Sequence, residues 1–225
     1  METKQPQNQV NEAAEQAAAL KKAQTIKIAK YASVAVLAIV AVVLIYVFAV
    51  YKPAVESGNE AIGQADVALI EAEGDSAKLA EAFKKYEAVA QEFGQDAGNR
   101  ANLMVAISHY ANGEYEKCIE SLNDFSNTGA IIDAGAESLK GDCYVNMNEY
   151  DKALDCYDDA ISACDENPQL APFFMAKQAR IYNEKKEYAK ELEVYETIKK
   201  EYPTYTGIEV DKYIQCAKTL AQGNK

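Results

Sequence analysis

The side chains best equipped for chemistry in this chain are five cysteines, one histidine and several adjacent acids. Cys118, Cys143, Cys156, Cys164 and Cys216 could bind a metal, exchange disulfides or act as nucleophiles. Each of those uses needs a particular spacing. Structural zinc takes Cys and His ligands in short paired spacings, yet there is no Cys-x-x-Cys pair and His109 is the single histidine, so no metal site is expected. An odd number of cysteines cannot complete a disulfide framework. Cys156 and Cys164 lie eight apart on one expected helix, about 12 Å along its axis and beyond the reach of a disulfide. The thiols therefore read as small buried hydrophobes, with a single pair between helices left open in an oxidising compartment.

Acid–base chemistry fares no better. Asp158 beside Asp159, and Glu191 near Glu193, have the right groups, but neighbouring acids on an amphipathic helix form a solvated face. His109 falls in a slot otherwise filled by an aromatic ring, so packing is expected of it rather than proton transfer. No glycine-rich phosphate loop, nucleophile elbow or His-Glu metal helix is present. The expectation is a protein without catalysis, cofactor or metal.

Charge narrows the partners. The whole chain carries −12 at neutral pH; residues 1–30 hold five lysines and three glutamates and residues 31–50 hold no charge, so residues 51–225 carry −14. Such a surface repels nucleic acid, whose binding requires a basic face that releases counterions. About 175 residues suffice for one domain with a core of its own.

One element must place that acidic domain. Residues 31–50 are uncharged, and twelve of them are Val, Ile, Leu or Phe. As a helix they reach about 30 Å, the thickness of a bilayer's hydrocarbon core, and favour insertion by roughly 4–7 kcal/mol. Lys4, Lys21, Lys22, Lys27 and Lys30 precede the run, and only Lys52 follows it before Lys78. This places the N-terminus in the cytoplasm and the acidic domain across the membrane, in the periplasm of a bacterium with an inner membrane. Lys30, Tyr31, Tyr51 and Lys52 are the expected membrane-interface residues. A cleaved signal peptide has a shorter apolar region ending at a small-x-small site, and a lipoprotein has a cysteine after it; neither pattern is present.

From about residue 55 the pattern is helical, with Ala, Leu, Ile and Tyr at i, i+3, i+4 spacing. Glu-Tyr dipeptides at Glu114-Tyr115, Glu149-Tyr150 and Glu187-Tyr188 recur at offsets of 35 and 38 residues, close to a 34-residue helix-turn-helix unit. The clearest unit places Gly141, Tyr144, Tyr150, Ala153, Tyr157 and Ala160 at spacings of 3, 6, 3, 4 and 3. Small residues let two helices approach while the rings fill the space beside them. The next unit has Ala179, Tyr182, Tyr188, Glu191, Tyr195 and Ile198, and the preceding one Ala106, His109, Tyr115, Cys118, Leu122 and Phe125.

These residues resemble the tetratricopeptide repeat (TPR) signature, and the segment YVNMNEYDKALDCYDDAI matches it well. The resemblance implies an all-α fold: a single N-terminal transmembrane helix, then a right-handed α-solenoid of TPR helix pairs with a C-terminal capping helix. The expected domains are a partly disordered cytoplasmic leader at 1–30 (1–10 disordered, 11–22 a short helix), the transmembrane helix at 31–50, and a degenerate TPR-like pair at 55–96. Three TPR units follow across 99–205 (about 99–132, 134–167 and 172–205), then the capping helix at 206–222. The repeat core is expected at Ala106, Gly141, Tyr144, Ala153, Tyr157, Ala160, Ala179, Tyr182 and Tyr195.

More narrowly, the layout of lysine-bearing leader, single span, repeats and a last helix ending in DKYIQCAKTL resembles the YfgM-like family of single-pass periplasmic TPR proteins, in its Bacteroidota form. That resemblance implies an ancillary partner of the SecYEG channel, working beside a membrane-anchored periplasmic chaperone of the prolyl isomerase type. TPR positions carried across put Arg100, Leu103, Ile107, Tyr110, Leu139, Asp142, Asn146, Phe173, Ala176, Arg180 and Asn183 on a concave partner-binding face, a mixed surface suited to an amphipathic or extended segment. The TPR subclass that clamps a C-terminal carboxylate with Lys and Asn is not matched. The expected function is a membrane-anchored protein–protein interaction adaptor; the alternative is a structural scaffold for another cell-envelope complex unrelated to secretion.

Overall fold

The alanine-rich start of the chain and most of the apolar run form one helix, α1 (Gln5–Tyr46), in a computed structural model that describes residues 5–126 and 129–223. Ala, Gln, Glu and Lys are strong helix formers, and extending an existing helix avoids the cost of nucleation. Residues 5–10, expected to be disordered, are therefore helical; residues 1–4 lie outside the described residues. Pro6 sits in the first turn, where its missing N–H is tolerated.

At Val47–Tyr51 the helix widens into a π turn, with the Lys52 N–H bonded to the Val47 carbonyl. Pro53 follows directly, and the widened turn keeps its ring off the carbonyl four residues back. The Lys52 ammonium lies 4.7 Å from the centre of the Phe48 ring. Among the described residues one helical stretch is long and apolar enough to cross a membrane, and none of its apolar window is buried. Lys30, Tyr31, Tyr51 and Lys52 are exposed near the two ends of the run.

The chain divides into two compact units, Met1–Ser57 and Gly58–Lys225. The second contains most of α2 (Lys52–Glu71), then α3 (Ser76–Glu92), α4 (Gln95–Ala111), α5 (Tyr115–Asn123), α6 (Ala130–Asn146), α7 (Tyr150–Ala163), α8 (Leu170–Glu184), α9 (Tyr188–Glu201) and α10 (Val210–Gly223). From α3 onward each helix packs on the next along the chain, the pattern of a helical repeat. No strand occurs among the described residues.

Three turns between paired helices share one geometry. Gly113, Asn148 and Lys186 adopt φ of 75°, 61° and 58°, and the next residues, Glu114, Glu149 and Glu187, donate their N–H groups to the carbonyls of His109, Tyr144 and Tyr182 at 2.8–2.9 Å. This left-handed closure satisfies the carbonyls at the end of one helix and starts the next. It explains the recurring Glu-Tyr dipeptide. Each glutamate also pairs with a lysine three residues on: Lys117, Lys152 and Lys190.

First helices begin earlier than the expected units: α4 at Gln95 and α6 at Ala130, with Gly94 and Gly129 before them, and α8 at Leu170. Asn167 caps α8, its side-chain oxygen accepting from Gln169 and Leu170 N–H groups at 3.0 and 3.1 Å, which leaves Pro172 in a first turn that needs no donor there. The last helix starts at Val210, later than the expected 206. Tyr205 occupies that space: a Cβ on Gly207 would lie 2.3 Å from its hydroxyl.

The core follows the repeat. Ala65, Ala106, Gly141 and Ala179 are the small residues of successive first helices, and Ala82, Cys118 and Ala153 those of the second helices, with Glu191 in the same slot of the last unit; all are buried. At Gly141 the close approach is quantitative, since an added Cβ would stand 2.6 Å from the Tyr157 ring. Tyr86, Leu122, Tyr157 and Tyr195 fill the next slot and are all nearly inaccessible. Tyr144 and Tyr182, expected in the core, are only half-buried: each sits at the edge of its helix pair, where a lysine of the following helix lies over the ring, Lys152 at 5.2 Å and Lys190 at 5.4 Å.

Candidate partner-binding surface

The residue following each small position of a first helix decides what the inner surface looks like. These residues are Asp66, Ile107, Asp142 and Arg180. Asp142 sits at the centre of a network built by α6, α7 and α8. The Tyr157 hydroxyl donates to it at 2.6 Å, and the Lys177 ammonium donates to both carboxylate oxygens at 2.6 and 2.9 Å and to Ser138 Oγ at 2.9 Å. Lys177 also lies over the rings of Phe173 and Tyr157, at 5.1 and 5.5 Å. Burial first, then the bond to Asp142, holds the Tyr157 phenol far above its usual range, so it stays a donor.

The same device recurs once. Asp66 accepts from Tyr86 at 2.6 Å and from Arg100 of the next unit at 3.0 Å. In both cases a carboxylate ties its own unit's tyrosine to a cation 34 or 35 residues on. In the unit between them Ile107 stands at the carboxylate position and Leu122 replaces the tyrosine, so two aliphatic residues take the places of the polar pair. The last unit differs again. Arg180 is exposed, and Asn183 donates to buried Glu191 at 2.8 Å.

These contacts sort the expected concave residues. Ala176 is buried against Ile198 and Tyr195, while Leu103, Tyr110 and Leu139 pack on the cluster around Leu122. Asp142 and Asn183 are occupied internally, and Asn146 accepts from the Tyr115 hydroxyl at 3.1 Å. Ile107 and Phe173 present 40% and 45% of their surface, and Arg180 is exposed. Arg100 is exposed too, although paired with Asp66. Of the eleven residues, Ile107 and Arg180 thus present a substantial face outward without a part in the links between units, and Arg100 and Phe173 are exposed while also touching Asp66 and Lys177.

Arg100 and Leu103 also border a cleft of about 790 Å³, lined by Phe93, Met104, Phe125 and Ile132 with Asp96 and Asp124 among its polar groups. Its wall is tied down by Asn99, which donates to the Ser126 carbonyl at 2.9 Å and accepts its N–H at 2.6 Å. His109 is half-buried, with Nδ1 2.6 Å from Glu114 Oε2, so it joins its helix to the following turn as well as packing. Lys177, Ser138 and Asp66 were not anticipated from the sequence. The available signal was the matched pair of Asp and Tyr at equivalent repeat positions, followed by a cation one unit later.

No known family model matches the chain, and no curated protein is similar in sequence. Among solved structures it is similar to the crystal structure of MamA protein, at 20% identity and a TM-score of 0.55, over 74% of this chain and 84% of that one. A second crystal structure, of MamA, is similar at 20% identity and a TM-score of 0.44, over 64% of this chain and 88% of that one. The first likeness shows the fold, a TPR-type helical repeat.

Proposed function

We propose that this protein is a membrane-anchored adaptor that binds other proteins through its helical repeat and acts without turnover. The apolar run at 31–50 anchors it as a single pass with the N-terminus in the cytoplasm, and the acidic repeat, a right-handed solenoid capped by α10, works in the periplasm. Its partner is a chaperone or a translocating polypeptide near the SecYEG channel. The observation that carries this reading is the surface of the TPR-type repeat. Exposed Ile107 and Phe173, and an apolar cleft carrying Asp96 and Asp124, suit an extended segment with apolar and basic side chains.

The test is recovery of partners from intact cells. Cells are crosslinked, membranes dissolved in mild detergent, and the full-length protein purified beside a control bearing residues 1–57 alone. Enrichment of Sec channel subunits and a membrane-anchored prolyl isomerase over that control is the expected result. Reproducible enrichment of a different envelope complex, with the Sec subunits at control level, would overturn the assignment to secretion.

A further inference from the structure

Successive units of the repeat are joined in unlike ways. Where α4 follows the α2–α3 pair, and where α8 follows the α6–α7 pair, an aspartate links its unit's tyrosine to a cation across the boundary. Where α6 follows the α4–α5 pair, Ile107 and Leu122 hold those positions and no such link forms. Two thiols meet there instead. Cys118 of α5 and Cys143 of α6 are both fully buried in one cluster with Ala106, Leu122 and Ala136, near enough for each thiol to influence the other's ionisation. Packing alone does not require sulfur at 118, because the equivalent residues of neighbouring units are Ala82 and Ala153. The other cysteines are placed differently: the Cys164 thiol donates to the Ile161 carbonyl of its own helix at 3.1 Å, and Cys216 is exposed.

We propose that Cys118 and Cys143 form a disulfide that joins the α4–α5 unit to the α6–α7 unit when the chain folds under oxidising conditions. Both sulfurs are inaccessible in the packed repeat, so the bond forms while the helices are still docking. The oxidant is a disulfide-bearing protein or small molecule. One cysteine thiolate attacks it, breaking its S–S bond and forming a mixed disulfide; the second thiolate then displaces the remaining oxidant thiolate. In balance, two thiols lose two electrons and two protons, and the oxidant's disulfide becomes two thiols.

The bond is read in the full-length protein. In detergent micelles it is unfolded in urea with reductant and diluted into a buffer of glutathione and glutathione disulfide; remaining thiols are then blocked and peptides identified by mass spectrometry. The expected product is a linked Cys118–Cys143 peptide with Cys156, Cys164 and Cys216 blocked. Reduction should lower its Tm by about 5–10 °C, for a loop of this length in a domain of this size. Cys118→Ala should lose that response while keeping the Tm of the reduced wild type. All five cysteines blocked, or a link through any other pair, would overturn the proposal. A bond that forms in this buffer but is missing from protein trapped directly from cells would support the pair and contradict the periplasmic placement on which the cellular role rests.

Discussion

At the boundary between the α6–α7 unit and α8, Asp142 gathers a phenol and an ammonium inside the protein; at the boundary before it, the matching positions hold Ile107 and Leu122. Both boundaries sit in the same repeat geometry, with the same left-handed turns and the same small residues at the helix crossings. The difference shows that the fold is specified by turn closure and close helix approach, whereas the residue after each small position is free to vary as a set. A carboxylate there requires a tyrosine and a cation, because a buried charge without partners costs far more than it contributes. An isoleucine requires only an apolar neighbour. Where the polar set is absent, part of the isoleucine is left exposed, so the boundary without the link carries an apolar side chain at the surface.

Removing the ring from the polar boundary should have the largest effect. Tyr157→Ala empties a fully buried aromatic slot and releases Asp142, and should cost about 3–5 kcal/mol in urea unfolding; an unchanged midpoint would mean that the ring does not hold the two helices together. Next comes the comparison between the two polar links. Side-chain exposures are 20% and 26% for Lys177 and Asp142, but 57% and 39% for Arg100 and Asp66. Double-mutant cycles should therefore give a coupling of about 1–2 kcal/mol for Asp142 with Lys177 and under about 1 kcal/mol for Asp66 with Arg100. Equal couplings would remove the role assigned to burial.

The turns within the units offer a smaller effect that is shared by three of them. Lys186 adopts the left-handed conformation that Gly113 adopts at the equivalent position. Lys186→Gly should stabilise by about 1 kcal/mol and Gly113→Ala should destabilise by a similar amount, both read as shifts in unfolding midpoint. Opposite signs between the two sites are the signature of a common geometry.

The last unit adds a pH-dependent contrast. Glu191 occupies the slot held by Ala82, Cys118 and Ala153, and burial pushes its carboxyl up, with the Asn183 hydrogen bond opposing the shift. An unfolded glutamate ionises near pH 4.3. Between that value and its higher native one the folded state holds the extra proton, so stability falls as pH rises through this window and the deficit then stays constant. Glu191→Gln keeps an acceptor for Asn183 and should be more stable than wild type at neutral pH. The two should converge below about pH 4. Parallel curves across the whole range would show that Glu191 is not desolvated.

Much of this was legible in the residues. Spacing alone marks Gly141, Ala153, Tyr157 and Ala160 as the meeting points of two helices, because close packing at 3.6 residues per turn leaves a periodic trace. Surface roles were less legible. Ala176 and Asn183 lie in positions facing the expected groove, yet one packs on Ile198 and the other bonds Glu191, and nothing in a helical period distinguishes such residues from exposed ones. Tyr144 and Tyr182 read as core because they are aromatic, while the lysines that cover them come from the following helix. The Asp–Tyr–cation links span residues one unit apart and emerge only when two units are compared position by position.

The central claim is that this surface binds a protein partner, and the most direct measurement is quantitative recovery of crosslinked partners by the double variant Ile107→Glu, Phe173→Glu against wild type. Both residues are partly exposed, and Phe173 also backs Lys177, so recovery is compared at a temperature where circular dichroism shows both proteins folded, and recovery of the partner should fall at least tenfold. Full recovery by a folded double variant would contradict the claim and place binding elsewhere on the chain.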